Sequence, residues 1–134
     1  MSDPFYCKLY IDTDETIDGL RKALDEHCRI LFHDLNLETS LRRNEAFDSS
    51  ARNQGPYDFI RSARFYADIE TADETPQQAA GFQSAVATLV SRLRDGGRIV
   101  MAACDFEDLI IGETGWNWTK DDPEPPRRVA MPLP

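Results

Sequence analysis

The chain has little of what the simplest functional signatures require. No run of apolar residues approaches the roughly 20 that a bilayer span needs, so no membrane partner is expected. The opening Met1-Ser2-Asp3-Pro4-Phe5 places an acid where a secretory signal needs a basic region, which predicts a cytoplasmic protein. Cysteine is sparse: Cys7, Cys28 and Cys104 are an odd, widely spaced set without a CxxC pair. That argues against a disulfide framework or a zinc knuckle and predicts small, unpaired, buried thiols. Basic charge is also short, with 15 Lys and Arg against 24 Asp and Glu, a net charge of −9 and a pI near 4.6. Such a surface does not suit a nucleic-acid backbone or an anionic membrane; it suits a basic protein partner, or simply solubility. No hydroxyl, histidine and acid set stands in a nucleophile-elbow context, and Gly96-Gly97 lacks the pattern of a phosphate-binding loop. No catalytic residue, cofactor or metal is therefore assigned.

What is present is an ordinary globular composition over 134 residues, 41% hydrophobic and 29% charged, enough for one core and too short to suggest two. Phe5, Cys7, Leu9 and Ile11 alternate with Tyr6, Lys8 and Tyr10, the period of a strand with one buried face. Asp12 and Glu15 resemble a capping box ahead of Ile17, Leu20, Leu24 and His27 or Cys28 at helical spacing. Alternation within Ile30–Leu41 predicts a second strand, although Ile30-Leu31-Phe32 fits either element. A polar loop from Asp48 to Asp58 follows, then a third strand through Phe65, Ala67 and Ile69. Thr75, Pro76 and Gln78 open a second helix that carries Phe82, Val86, Leu89 and Leu93 on one face and stops at Gly96-Gly97. Arg98 to Cys104, nearly all apolar, reads as a covered or central fourth strand.

This order predicts an α+β, ferredoxin-like βαββαβ domain: a four-stranded antiparallel sheet with two helices on one face. The domain is expected over residues 1–116, and five of the eight prolines then mark residues 117–134 as an extended Pro-rich C-terminal arm. Such a fold hosts enzymes, sensors and binders alike, so function has to be argued from sites.

Four groupings were weighed for chemistry. Asp105, Glu107 and Asp108 put three carboxylates within four positions, suited to partner binding or local structure and, less simply, to a cation or an acid–base pair. His27, Cys28, His33 and Asp34 bring zinc-ligand types together, but adjacent helical residues diverge, so a shared tetrahedral site is not expected. Tyr6, Tyr10, Phe65 and Tyr66 are the residue types of an RNA-stacking platform, yet the acidic balance favours core packing. Glu113, Trp116 and Trp118 precede the proline-rich stretch and read as a hot spot for a protein partner or as a lid of indole rings over the sheet. Charge sharpens this: Cys104 to Glu124 holds seven acids and one base, Lys120. The partner-binding candidates are thus Asp105, Glu107, Asp108, Glu113, Trp116 and Trp118.

The segment Ala63-Arg64-Phe65-Tyr66-Ala67-Asp68-Ile69-Glu70, the Phe82–Leu93 helix and Ile99-Val100-Met101-Ala102-Ala103-Cys104-Asp105-Phe106-Glu107-Asp108 resemble small bacterial immunity proteins associated with polymorphic or contact-dependent toxins. The likeness spans roughly residues 59–110. It implies a non-enzymatic inhibitor that binds and neutralises a cognate toxin, and it transfers no individual binding residue. The alternatives are a small-molecule or metal sensor using the sheet or the Asp105–Asp108 cluster, and a small carboxylate-dependent hydrolase or isomerase.

Overall fold

A computed structural model describes residues 3–50, 58–72 and 75–117. The elements in chain order are β1 (Tyr6–Asp12), α1 (Ile17–Leu31), β2 (Leu37–Arg43), α2 (Phe59–Ser62), β3 (Phe65–Thr71), α3 (Pro76–Asp95), β4 (Ile99–Ala103) and α4 (Glu107–Thr114). The four strands form one sheet in the order β2-β3-β1-β4, and each neighbouring pair is antiparallel. An α+β domain with a four-stranded antiparallel sheet therefore stands. The two expected helices are joined by two more, so the described residues contain four.

Alternation in β1 and β3 sorts their side chains cleanly. Cys7, Leu9 and Ile11 sit beside Ile69, Ala67 and Phe65 in register, all fully buried. Val100 and Ala102 of β4 extend the same face. Onto it α1 presents Leu20, Leu24 and Cys28, and α3 presents Phe82, Val86, Ala87, Leu89, Val90 and Leu93. Phe82 is the hinge of an aromatic row, with Phe32 at 5.9 Å and Phe106 at 6.2 Å between ring centroids. Each buried ring of this kind contributes about 3 kcal/mol.

Three boundaries differ from the sequence expectation. The α1 cap is Thr16, whose hydroxyl accepts from Gly19 N–H at 3.1 Å, whereas Asp12 is buried at the end of β1 and Glu15 turns to Arg98. Ile30 and Leu31 belong to α1 and Phe32 is its C-cap, so β2 begins only at Leu37; tertiary packing of Phe32 on Phe82 wins over strand alternation. Past Asp48–Ser50, where Asp48 donates its N–H to Arg61 C=O at 2.8 Å and accepts from Arg61 Nη2 at 2.6 Å, the one-turn α2 forms where Asp58 accepts from the N–H groups of Ile60 and Arg61. At α3, the Thr75 hydroxyl accepts from Gln78 N–H and donates to Gln78 Oε1, 2.6 Å away. Gly97, at φ 91°, supplies the left-handed residue that releases the chain from α3 into β4.

The outer edge of β4 is closed by side chains rather than by a strand. Arg94 donates through Nε and Nη2 to the Val100 carbonyl at 3.1 and 2.8 Å. Asn117, 1% exposed, accepts from Ala102 N–H and donates to Ala102 C=O, each at 2.9 Å. Glu107 takes the Cys104 N–H at 3.3 Å. Asn117, placed by the sequence at the start of the proline-rich arm, packs against β4. Residues 118–134, and with them Trp118 and the rest of that arm, lie outside the described residues.

Candidate functional site

The acidic cluster is carried by α4 and the turn before it. Phe106 and Ile110, spaced by four, point into the core and hold one side of α4 against α3. Gly115, at φ 94°, ends the helix in the left-handed conformation, its N–H returning to Ile111 C=O at 2.9 Å. Because 3.6 residues make a turn, the opposite side carries Asp108, Ile111 and Gly112, all exposed, with Glu113 beside them and Asp105 just before the helix. Ile111 is 36% exposed. The stretch from Cys104 to Asn117 contains four acids and no lysine or arginine.

The six sequence candidates do not share one role. Asp105, Asp108 and Glu113 are exposed, and the Asp105 carboxylate receives the N–H of Asp3. Glu107 is turned inward: one oxygen takes Cys104 N–H and the other takes Asn117 Nδ2 at 3.2 Å, so its charge is committed to the β4 edge. Glu107 and Asp108 also lie in the first turn of α4, where the helix dipole favours negative charge. Trp116 is half-buried, its ring lying 3.7 Å from the Arg94 guanidinium carbon, and its carbonyl accepts from Arg94 Nη1 at 2.9 Å. The ring is thus packed on Arg94 and remains partly exposed. Trp118 lies outside the described residues.

Arg94 organises this end of the molecule. Besides Val100 and Trp116, it donates to Thr114 Oγ1 at 2.8 Å, and the Thr114 hydroxyl in turn donates to Ile110 C=O at 2.6 Å. Burial lowers its pKa to about 10, so the guanidinium remains cationic at neutral pH. In sequence Arg94 is one of two basic residues in the last turn of α3, favourable to the helix dipole, and no local pattern marks it as a clamp. Ile111 does carry a sequence signal: in Leu109-Ile110-Ile111 a helix cannot bury three consecutive apolar residues on one side.

The sheet face away from α1 and α3 has its own chemistry. Tyr6, Lys8 and Tyr10 project there with Tyr66 and Asp68 of β3. Lys8 Nζ stands 4.2 Å from the Tyr66 ring centroid and 5.1 Å from that of Tyr10. Tyr6 donates to Asp68 Oδ1 at 2.5 Å, and burial together with that carboxylate pushes the phenol above its usual range. Phe59 of α2 meets Tyr10 edge-on at 5.2 Å. Of the four aromatics considered for stacking, only Phe65 belongs to the main core.

At the third grouping, His33 contacts Ile30 C=O and Asp34 on the surface while Cys28 is buried in α1, where burial pushes its thiol up to about 12. Among the described residues no group of three or more His, Cys, Asp or Glu is placed to hold a metal ion, and no helix is long and apolar enough to cross a membrane. No family model, curated protein or solved structure matches the chain.

Proposed function

We propose that the chain is a non-enzymatic, immunity-type protein that binds and neutralises a cognate bacterial toxin in the cytoplasm, using the acidic outer side of α4 against a basic surface. The observation that carries the reading is the exposed Ile111 flanked by Asp105, Asp108 and Glu113 with no cation in the same stretch. A small apolar centre with an acidic rim is the layout of a protein interface: the centre supplies desolvation, the rim steers encounter. Glu107, Arg94 and Trp116 support that surface from below. In fold, we read the domain as ferredoxin-like with α2 and α4 added; the order β2-β3-β1-β4 and the antiparallel pairing support this.

The test combines biology and kinetics. The chain is used as bait in a lysate of its native cell, and the protein recovered is expressed alone and with the chain. The expected partner is basic, toxic alone and silent in co-expression. Asp105→Asn, Asp108→Asn and Glu113→Gln together should slow association at low salt and flatten its salt dependence, while Ile111→Ala should speed dissociation. A recovered partner that is harmless, or a folded triple variant with unchanged association, would remove the reading.

A second reading, a small-molecule sensor, is favoured by Lys8 lying against Tyr10 and Tyr66 on the open sheet face. It requires Lys8→Met to abolish a ligand-induced rise in melting temperature while leaving the toxin assay unchanged.

A further inference from the structure

We propose that Cys7 and Cys104 form a redox-active pair, oxidised by a peroxide to an intramolecular disulfide and restored by a reducing dithiol. This is independent of what α4 binds. The pairing of β1 with β4 sets Leu9 opposite Ala102 and ends with Lys8 opposite Ala103, so Cys7 and Cys104 are the two residues just past its last paired position, Cys104 in the bend that leaves β4. Both polar backbone groups of Ala102 face outward to Asn117. Leu9–Ala102 is therefore a position without hydrogen bonds between β1 and β4, and Cys7 and Cys104, two residues on, come where the next such position falls as β4 ends. In positions of that kind the Cα atoms stand about 4.5 Å apart and the side chains are at their closest. A disulfide accepts Cα separations of about 4.4–6.8 Å. The end of the β1–β4 ladder thus brings the two cysteines side by side, on the side of the sheet that packs against the core.

The pair is chemically unequal. Both thiols are free and act on each other, the Cys7 thiol also reaching Lys8 C=O at 3.8 Å, but Cys7 is fully buried whereas Cys104 is half-buried at the surface end. Cys104 Sγ also receives the N–H of Phe106, at the start of α4. Those contacts favour its thiolate, against the opposing effect of burial and the nearby carboxylates of Glu107 and Asp105. The Cys7 thiol is held up by its bond to Cys104 and by burial. Cys104 is accordingly the attacking thiol and Cys7 the resolving one.

The Cys104 thiolate attacks one peroxide oxygen, the O–O bond breaks, and the departing hydroxide takes a proton, leaving a sulfenic acid on Cys104. Cys7 then gives up its proton and attacks Cys104 Sγ, expelling the hydroxyl as water. The two sulfurs together lose two electrons, and one hydrogen peroxide becomes two waters. A dithiol reductant reverses the bond by exchange and leaves as its own disulfide.

The experiment uses the whole chain, folded, with a small excess of hydrogen peroxide, followed by denaturation, alkylation of remaining thiols and intact mass measurement. Reactive thiols should fall from three to one, with loss of two hydrogens and a peptide linking Cys7 to Cys104, and dithiothreitol should restore all three. Cys28→Ser should undergo the same change. Brief iodoacetamide treatment of the native, reduced protein should label Cys104 first. Three alkylatable thiols after peroxide, a bridge to Cys28 or between chains, or sulfinic acid on Cys104 without a bridge would each overturn the pairing.

Discussion

Replacing Asn117 with alanine is the most informative single perturbation of the fold. Its amide makes three hydrogen bonds, two at 2.9 Å to the N–H and C=O of Ala102 and one at 3.2 Å to Glu107 Oε1. Ala102 is 3% exposed, so truncation leaves a buried donor and a buried acceptor without partners and frees the carboxylate that holds Cys104 N–H. A buried group stranded in this way costs about 1–3 kcal/mol. Water entering the space left by the amide recovers part of that, so about 2–4 kcal/mol of destabilisation is expected for Asn117→Ala. Urea unfolding at neutral pH should show the midpoint falling with an unchanged slope, since the surface exposed on unfolding is the same. Asn117→Asp separates hydrogen bonding from packing. It keeps the shape but points an oxygen at both Ala102 C=O and Glu107, so its folded-state pKa is raised. Stability of that variant should therefore be best below the unfolded value, about 3.9, and decline as pH rises through the folded one. A loss under about 1 kcal/mol for Asn117→Ala would refute the edge-closing role assigned to this residue.

Two further outcomes follow from the same end of the sheet. Glu15 is held below the ordinary carboxylate range by its bonds to Arg98, at 2.5 and 2.8 Å, with burial opposing and Thr13 assisting. A depressed carboxylate stabilises above its unfolded pKa, near 4.3, and that contribution disappears as pH falls through the folded value. Glu15→Gln should cost about 1.5–3 kcal/mol at neutral pH, and its deficit against wild type should shrink below about pH 4 in urea midpoints. Gly115→Ala has open space for its Cβ but keeps φ at 94°, so a strain cost of about 1 kcal/mol should appear as a small drop in melting temperature.

Elements whose signal is local could be read directly from the residues. The strict alternation from Tyr6 to Asp12 and from Phe65 to Thr71, and the Thr75-Pro76 start and Gly96-Gly97 stop of α3, all describe short-range geometry. The α1–β2 boundary failed because Ile30-Leu31-Phe32 satisfies both periods, and only the contact of Phe32 with Phe82 decides between them. Helix α4 has a weak signal in the sequence because three acids at its start mask the Phe106–Ile110 spacing. Exposure of Asp105, Asp108 and Glu113 is what charge alone suggests. The inward turn of Glu107, the clamp at Arg94 and the buried amide of Asn117 depend on partners 3 to 22 residues away meeting in space, which no sequence period encodes.

The side-chain closure of β4 has a consequence for how the chain is made. Strand β1 sits inside the sheet, between β3 and β4, although it leaves the ribosome first. It must wait for Phe65–Thr71 on one side and for Ile99–Ala103 on the other, loop closures that are slow because they span so much chain. When β4 docks, its outer edge is still a row of unpaired amides until α4 and Asn117 have emerged, about 14 residues after Ala103. During synthesis this interval is when a nascent chain is most open to pairing with a neighbour on the same message. Anything that delays residues 104–117 should therefore raise co-translational aggregation without altering the stability of the finished protein.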